Sequence, residues 1–258
     1  MWRRRPRRPA STPARTPALH REYALELNLI QKITVFALPV LFAITLHEAA
    51  HGYAALKFGD RTAQLLGRIS LNPLRHIDLV GTIIVPIAIL LLSKLSGGAG
   101  ILFGWAKPVP VNFNHLRRPK QDMLWVAAAG PGANLLMALI WAGMIKVALA
   151  MPGSAITMPL ALMGAAGIFI NAVLMALNLI PLPPLDGGRI AVSLLPQRLA
   201  YGLARIEPYG LFILIGLMYL GVLGILMWPL IQSIITLAAF LFGLEPIKLL
   251  ALIQIVLN

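Results

Sequence analysis

The chain has 258 residues, 59% of them hydrophobic and 12% charged, a net charge of +13 and a mean hydropathy of +0.81. Soluble domains carry about 25% charged residues, and several apolar runs here reach the roughly 20 residues that a bilayer crossing needs, so a water-soluble domain with a single packed core is excluded. Cysteine is absent, which excludes a disulfide framework and any thiolate metal site.

Residues 1–28 hold seven arginines against Glu22 and Glu26, so +5 of the +13 lies there. The stretch is rich in proline and has neither interleaved aromatics nor a fold of its own. It is expected to be a disordered arm near anionic lipid, not a nucleic-acid-binding element. No apolar core with a small-residue cleavage site follows, so it does not read as a secretory signal.

The first crossing is expected over Leu29–Lys57, and it carries Leu46-His47-Glu48-Ala49-Ala50-His51-Gly52 near its end. Four-residue spacing places both imidazoles on one helix face, one turn apart. Two imidazoles so placed can bind one Zn²⁺, and the glutamate beside the first can reach a water on that ion. An ionisable residue inside an apolar crossing costs about 2.5–3.5 kcal/mol on insertion scales. Three within a turn and a half need a strong compensator, and a metal is the economical one.

Residues 62–73 mix polar and apolar positions without a 3.6 period and read as extended, closed by a turn at Asn72-Pro73. Residues 79–92 are apolar, short and contain Pro86, and residues 96–100 form a Gly-rich turn. Together they suggest a kinked crossing or a re-entrant element. Residues 106–112 must be extended, because Pro108 and Pro110 fix φ and restrict their predecessors. A second long crossing is expected over 122–150, interrupted early by Gly130-Pro131-Gly132, and a third over 159–180. Pro181-Leu182-Pro183-Pro184 stops the third, and Asp186-Gly187-Gly188 follows. Residues 209–228 and 231–257 are further apolar segments. The fold class is thus an all-α polytopic membrane protein of four to six transmembrane helices, with short extended or β elements beside the site.

A catalytic zinc commonly takes three protein ligands. Asp78, Asp122, Glu207 and Glu245 lie at segment ends, where a solvated charge is the simple reading. Asp186 differs, because the prolines before it unwind the chain at the end of a crossing, where such backbone is tolerated only against protein or water. The glycines after it allow close approach. His20 lies in the tail, and His76 and His115 sit in basic loops as expected surface histidines. Those basic loops follow the first crossing, precede the second and follow the third, whereas the turn at 151–158 has no charge. They belong together on the cytoplasmic side.

His47-Glu48-Ala49-Ala50-His51, the Asn178-to-Gly187 stretch and Ala129-Gly130-Pro131-Gly132-Ala133-Asn134 together resemble the motifs of the site-2 protease family of intramembrane zinc metalloproteases. Residues 67–73 and 103–112 resemble its compact prokaryotic subgroup. The resemblance implies that His47, His51 and Asp186 hold Zn²⁺ and that Glu48 is the general base. Asn134 is then either a donor to the substrate carbonyl or oxyanion, or a polar packing group beside Gly130. It also implies hydrolysis of a peptide bond within or near a transmembrane segment of another membrane protein, with the lipid bilayer as the other partner. The site would face the cytoplasmic side of the cell membrane, and residues 66–72 or 108–112 would offer an edge strand to the unwound substrate. The corresponding division is a tail over 1–28, a catalytic membrane core over 29–207 and C-terminal transmembrane helices over 208–258. The alternative is a membrane metal-ion transporter using the same His/Asp cluster. Transporters usually show broken helices repeated in two halves, and this chain shows one broken end and no repeat.

Overall fold

Helix α1 (Leu29–Lys57) begins where Asn28 and Gln31 cap one another. The Asn28 side chain accepts from the Gln31 amide and the Gln31 side chain from the Asn28 amide, both at 2.9 Å, which satisfies two of the donors a helix start leaves free. At about 1.5 Å per residue such a helix exceeds the roughly 30 Å hydrocarbon core. The computed structural model describes residues 26–76, 78–84 and 107–258. The tail through residue 25, and the suspected crossing or re-entrant element beyond residue 84, lie outside them.

After α1 the chain turns at Gly59, whose φ of 113° an L side chain rarely adopts. Residues 62–65, expected to be extended, form the single helical turn α2 (Thr62–Leu65). The reason is local, because the Asp60 carboxylate accepts from both the amide and the hydroxyl of Thr62, an Asx-type turn that leads the chain into the coil. Residues 66–67 form a turn and Leu71 a bend, with 68–70 and 72 in neither helix nor strand, followed by a 3₁₀ turn (Pro73–His76) and a short π-helical turn (Leu79–Ile84). No strand forms among the described residues. Residues 107–112 lie in neither helix nor sheet, and Asn112 at their end has extended backbone, φ −99° and ψ 98°. His76 is buried rather than on the surface, 2% exposed, with Nε2–H donating to the Ser70 carbonyl at 2.8 Å.

Helix α3 (Pro119–Leu149) does not break at Gly130-Pro131-Gly132. Pro131 removes the N–H that would have bonded one turn back, but Gly130 and Pro131 are buried against the neighbouring helices and α3 continues through them. Asp122 is buried in its first turn, not solvated, and accepts the Arg118 amide at 2.7 Å. Helix α4 (Thr157–Asn178) returns beside α3 through small residues, as membrane helices do. Ala138 and Ala142 meet α4 in the same core as Ala165 and Ala172. A Cβ on Gly167 would stand 2.5 Å from Trp141 Cδ1, so the glycine makes room for the indole.

Five α-helices follow the proline break, with a 3₁₀ turn (Glu207–Tyr209) between the second and third. They are α5 (Asp186–Leu194), α6 (Gln197–Ala204), α7 (Gly210–Tyr219), α8 (Val222–Phe242) and α9 (Pro246–Leu257). The expected apolar segments divide differently from the sequence reading. Gly221 at φ 71° and Gly243 at φ 56° supply the left-handed turns that end helices, whereas Pro229 lies inside α8. Among the described residues, five stretches are long and apolar enough to cross a membrane: α1, α3, α4, the run Gln197–Tyr219 and α8. The protein is a multi-pass α-helical membrane protein, with α3 packed against α1, α4, α5 and α8.

Candidate metal centre

Three elements converge on one point. Helix α1 brings His47 and His51, the start of α5 brings Asp186, and α3 supplies the wall behind the two rings. His47 Nδ1–H donates to Asn134 Oδ1 at 2.6 Å, and His51 Nδ1–H donates to the Val126 carbonyl at 2.7 Å. Each ring therefore carries its proton on Nδ1 and turns Nε2 forward as a lone pair. The two Nε2 atoms stand 3.0 Å apart, and each lies 3.3 Å from Asp186 Oδ2. Asp186 Oδ2 is buried without a hydrogen-bond donor.

With both rings neutral, three acceptors thus face one another with no proton between them, an arrangement that a bound cation relieves. The spacing fits zinc. Ligand atoms arranged tetrahedrally at about 2.0–2.1 Å from the ion stand about 3.3 Å from each other. Two imidazoles and one carboxylate also form a donor set that suits it, with one position left open.

A residue that the motif reading left without a specific role makes this possible. Gly130 on α3 faces the rings, and a Cβ there would lie 2.6 Å from Cε1 of both His47 and His51. The glycines after Asp186 also act by close approach, and neither has a positive φ. A Cβ on Gly188 would stand 2.6 Å from Pro183 Cδ, so the proline break and the start of α5 pack backbone to backbone.

Comparison with known proteins agrees with this chemistry. A family model described as peptidase family M50 matches residues 141–220. The Bacillus subtilis protein named "Putative zinc metalloprotease YwhC" is 34% identical over 197 residues, covering 75% of this chain and 84% of that one. The chain belongs to peptidase family M50. The peptidase is therefore a membrane-embedded zinc metallopeptidase of the site-2 protease family, and the transporter reading is left without support. A second relative, "Putative zinc metalloprotease Rip2" of Mycolicibacterium smegmatis, is 27% identical over 179 residues, 69% of the peptidase and 64% of that chain. Its counterpart from Mycobacterium tuberculosis is 28% identical over 147 residues, 57% and 52% of the two chains. No solved structure matches.

Glu48 lines the same cavity of about 470 Å³ as His47, His51 and Asp186. Its Oε2 accepts the Val109 amide at 2.7 Å, so the peptidase ties this carboxylate to the extended stretch. Side chains hold that stretch in place along its length. Arg68 donates to the carbonyls of Lys107 at 3.1 Å and Pro108 at 3.3 Å, and Asp60 Oδ2 accepts the Asn112 amide at 2.7 Å. Asp60 is 1% exposed and serves both α2 and this strand-like run. Asp60 stands outside every motif and Arg68 lies in the 67–73 stretch without a role read from it, because the contacts both make to this run are to backbone.

Arg189 lines another part of the cavity, with its guanidinium 4.9 Å from the Phe113 ring centroid and 2.9 Å from Glu207. Gly210, Leu211 and Leu214 of α7 line it too. Asn134 does not. It is 0% exposed, its Oδ1 is taken by His47, and its Nδ2 donates to Asn171 Oδ1 at 3.0 Å and the Ala43 carbonyl at 3.3 Å. Of the two readings of Asn134, the oxyanion donor has no free N–H to offer, because both N–H groups bond within the helix interface.

Proposed function

We propose that the peptidase hydrolyses a peptide bond within or near a transmembrane segment of another membrane protein, with zinc held by His47, His51 and Asp186 and Glu48 acting as general base. The observation that carries this reading is the meeting of three acceptors, two imidazole nitrogens and a carboxylate oxygen without a donor, beside an anchored carboxylate. Zinc supplies Lewis acidity, lowering the pKa of water and polarising a carbonyl. Glu48 Oε2 is occupied by Val109, which leaves Oε1 to take the proton from the attacking water. The same oxygen then returns that proton to the amine nitrogen as the C–N bond breaks. Asn134 acts on His47 and not on the substrate.

The extended stretch supports a substrate edge. Pro108 and Pro110 have no donors, the Val109 amide is taken by Glu48, and among the described residues the Val111 amide and the carbonyls of Val109 and Val111 form no hydrogen bond. Val109 and Val111 both line the cavity. An unwound substrate segment laid along them gains backbone hydrogen bonds at the point where its own helix has lost them. Val111→Pro is expected to lower turnover by about tenfold or more by removing one donor, worth about 1.4 kcal/mol or above in a dry site, with zinc binding unchanged. Equal turnover would remove the edge role from this segment.

The basic residues Lys57, Arg61, Arg68, Arg117, Arg118 and Lys120 lie at the end of the bundle where α1 stops and α3 starts, which supports a cytoplasmic position for that end. A protease tag inserted in the 151–158 turn is then expected to be cut on intact cells. Protection of the tag reverses the assignment.

Asp186→Asn tests the ligand set directly. An amide oxygen carries no charge for the cation, so zinc affinity is expected to fall by more than the roughly 10–100-fold typical of outer-shell losses. Cleavage of a model transmembrane substrate by the purified, reconstituted protein should fall in step and recover in part with excess zinc. Wild-type zinc affinity in this variant would rule out Asp186 as a ligand.

A further inference from the structure

Asn171 on α4 is 0% exposed, and a primary amide at that depth must find all its partners inside the protein. Its Nδ2 donates to the Gly167 carbonyl at 2.8 Å. Its Oδ1 accepts from Asn134 Nδ2 at 3.0 Å, and Asn134 Oδ1 accepts from His47 Nδ1–H at 2.6 Å. The series runs from a backbone carbonyl to an imidazole, and each amide is turned by the one before it.

Its polarity has a fixed origin, because a peptide oxygen can only accept. Gly167 therefore orients Asn171 with NH₂ toward the backbone and carbonyl toward Asn134. Asn134 must then turn its NH₂ toward Asn171 and its carbonyl toward His47. His47 answers with its proton on Nδ1, and Nε2 is left as the lone pair that faces His51 and Asp186. We propose that Asn171 is a positioning residue for the metal centre, setting the tautomer of His47 through the orientation of Asn134. This rests on His47 being a zinc ligand.

Without Asn171, Asn134 is oriented only by the Ala43 carbonyl, at the longer distance of 3.3 Å. A flipped Asn134 amide presents NH₂ to His47. The ring then accepts at Nδ1 and carries its proton on Nε2, at the place where a ligand lone pair is needed. The coupling thus acts on which nitrogen is protonated and leaves the net charge of the site alone.

The test uses the full chain in detergent, stripped of zinc and titrated back against a chromophoric chelator, with ¹⁵N-histidine spectra of the zinc-free protein. Asn171→Leu is expected to weaken zinc binding about 10–100-fold and to move the His47 signals from the Nδ1–H toward the Nε2–H tautomer. Asn171→Ser, whose hydroxyl bonds back to the Gly167 carbonyl but stops short of Asn134, is expected to do the same and guards against a Leu variant that fails to fold. In an Asn134→Leu background, Asn171→Leu should cost nothing further, since its route to His47 is already cut. Unchanged zinc affinity in both Asn171 variants overturns the proposal. So does weakened affinity with an unchanged tautomer, which makes the residue merely structural. A wild-type chain that binds no zinc fails on the ligand assignment itself, and is distinguished from either result.

Discussion

Gly130→Ala is expected to abolish zinc binding and proteolysis together while the helices stay intact. The added Cβ would sit 2.6 Å from Cε1 of both His47 and His51, closer than carbon atoms pack. Neither ring can retreat cheaply, because His47 is tied to Asn134 at 2.6 Å and His51 to Val126 at 2.7 Å. Breaking either bond strands a buried polar group at a cost of about 1–3 kcal/mol and swings the ring away from its partners. Alanine is meanwhile the better helix former by about 1 kcal/mol, so α3 itself has no reason to unwind. Zinc affinity lower by about 100-fold or more, with unchanged helix content by circular dichroism, is the expected pair of results. Gly132→Ala, two residues on, is the control, for nothing lies within 4 Å of its added carbon. Normal zinc binding by Gly130→Ala would mean that the three acceptors are not where the metal sits.

Glu48→Gln is expected to separate chemistry from metal binding. Its amide oxygen can still accept from the Val109 amide, now held at 2.7 Å by Glu48 Oε2, so the extended stretch keeps its anchor and the cavity its shape. What is lost is a group able to take a proton from water. Positioned general bases contribute about 10²–10⁴-fold, so kcat on a reconstituted transmembrane substrate should drop by that factor with KM and zinc affinity held. A drop in zinc affinity of the same size would instead make Glu48 a ligand. Full activity would exclude it as the base. Together the two variants are expected to divide the site, the glycine accounting for the space for the ion and the glutamate for the proton.

Much of this was legible in the chain alone, and the reason is periodicity. The class of protein follows from apolar runs of bilayer length. The first crossing is legible to its ends, Leu29–Lys57, because Asn28 and Gln31 cap it locally and Gly59 ends it locally. The imidazole pair needs only the four-residue spacing of a helix, and Asp186 stands out because prolines break the crossing before it. Where local signals conflict or are missing, the boundaries shift. Thr62–Leu65 coils because the Asp60 side chain accepts from Thr62, and the apolar run 209–244 has no period from which to read turns at Gly221 and Gly243.

The supporting shell belongs to the tertiary structure. The His47–Asn134 bond joins residues 87 apart, Glu48–Val109 residues 61 apart and Asn134–Asn171 residues 37 apart. An asparagine inside an apolar helix looks the same in sequence whether it meets lipid, a substrate or another amide, and a glycine looks the same whether it faces two rings or empty space, as Gly130 and Gly132 do. Sequence alone names the atoms able to hold a cation and the helix that carries two of them. Only the packing of α1, α3 and α4 decides which way those atoms turn, because a hydrogen bond's direction is set by the partner that cannot reverse.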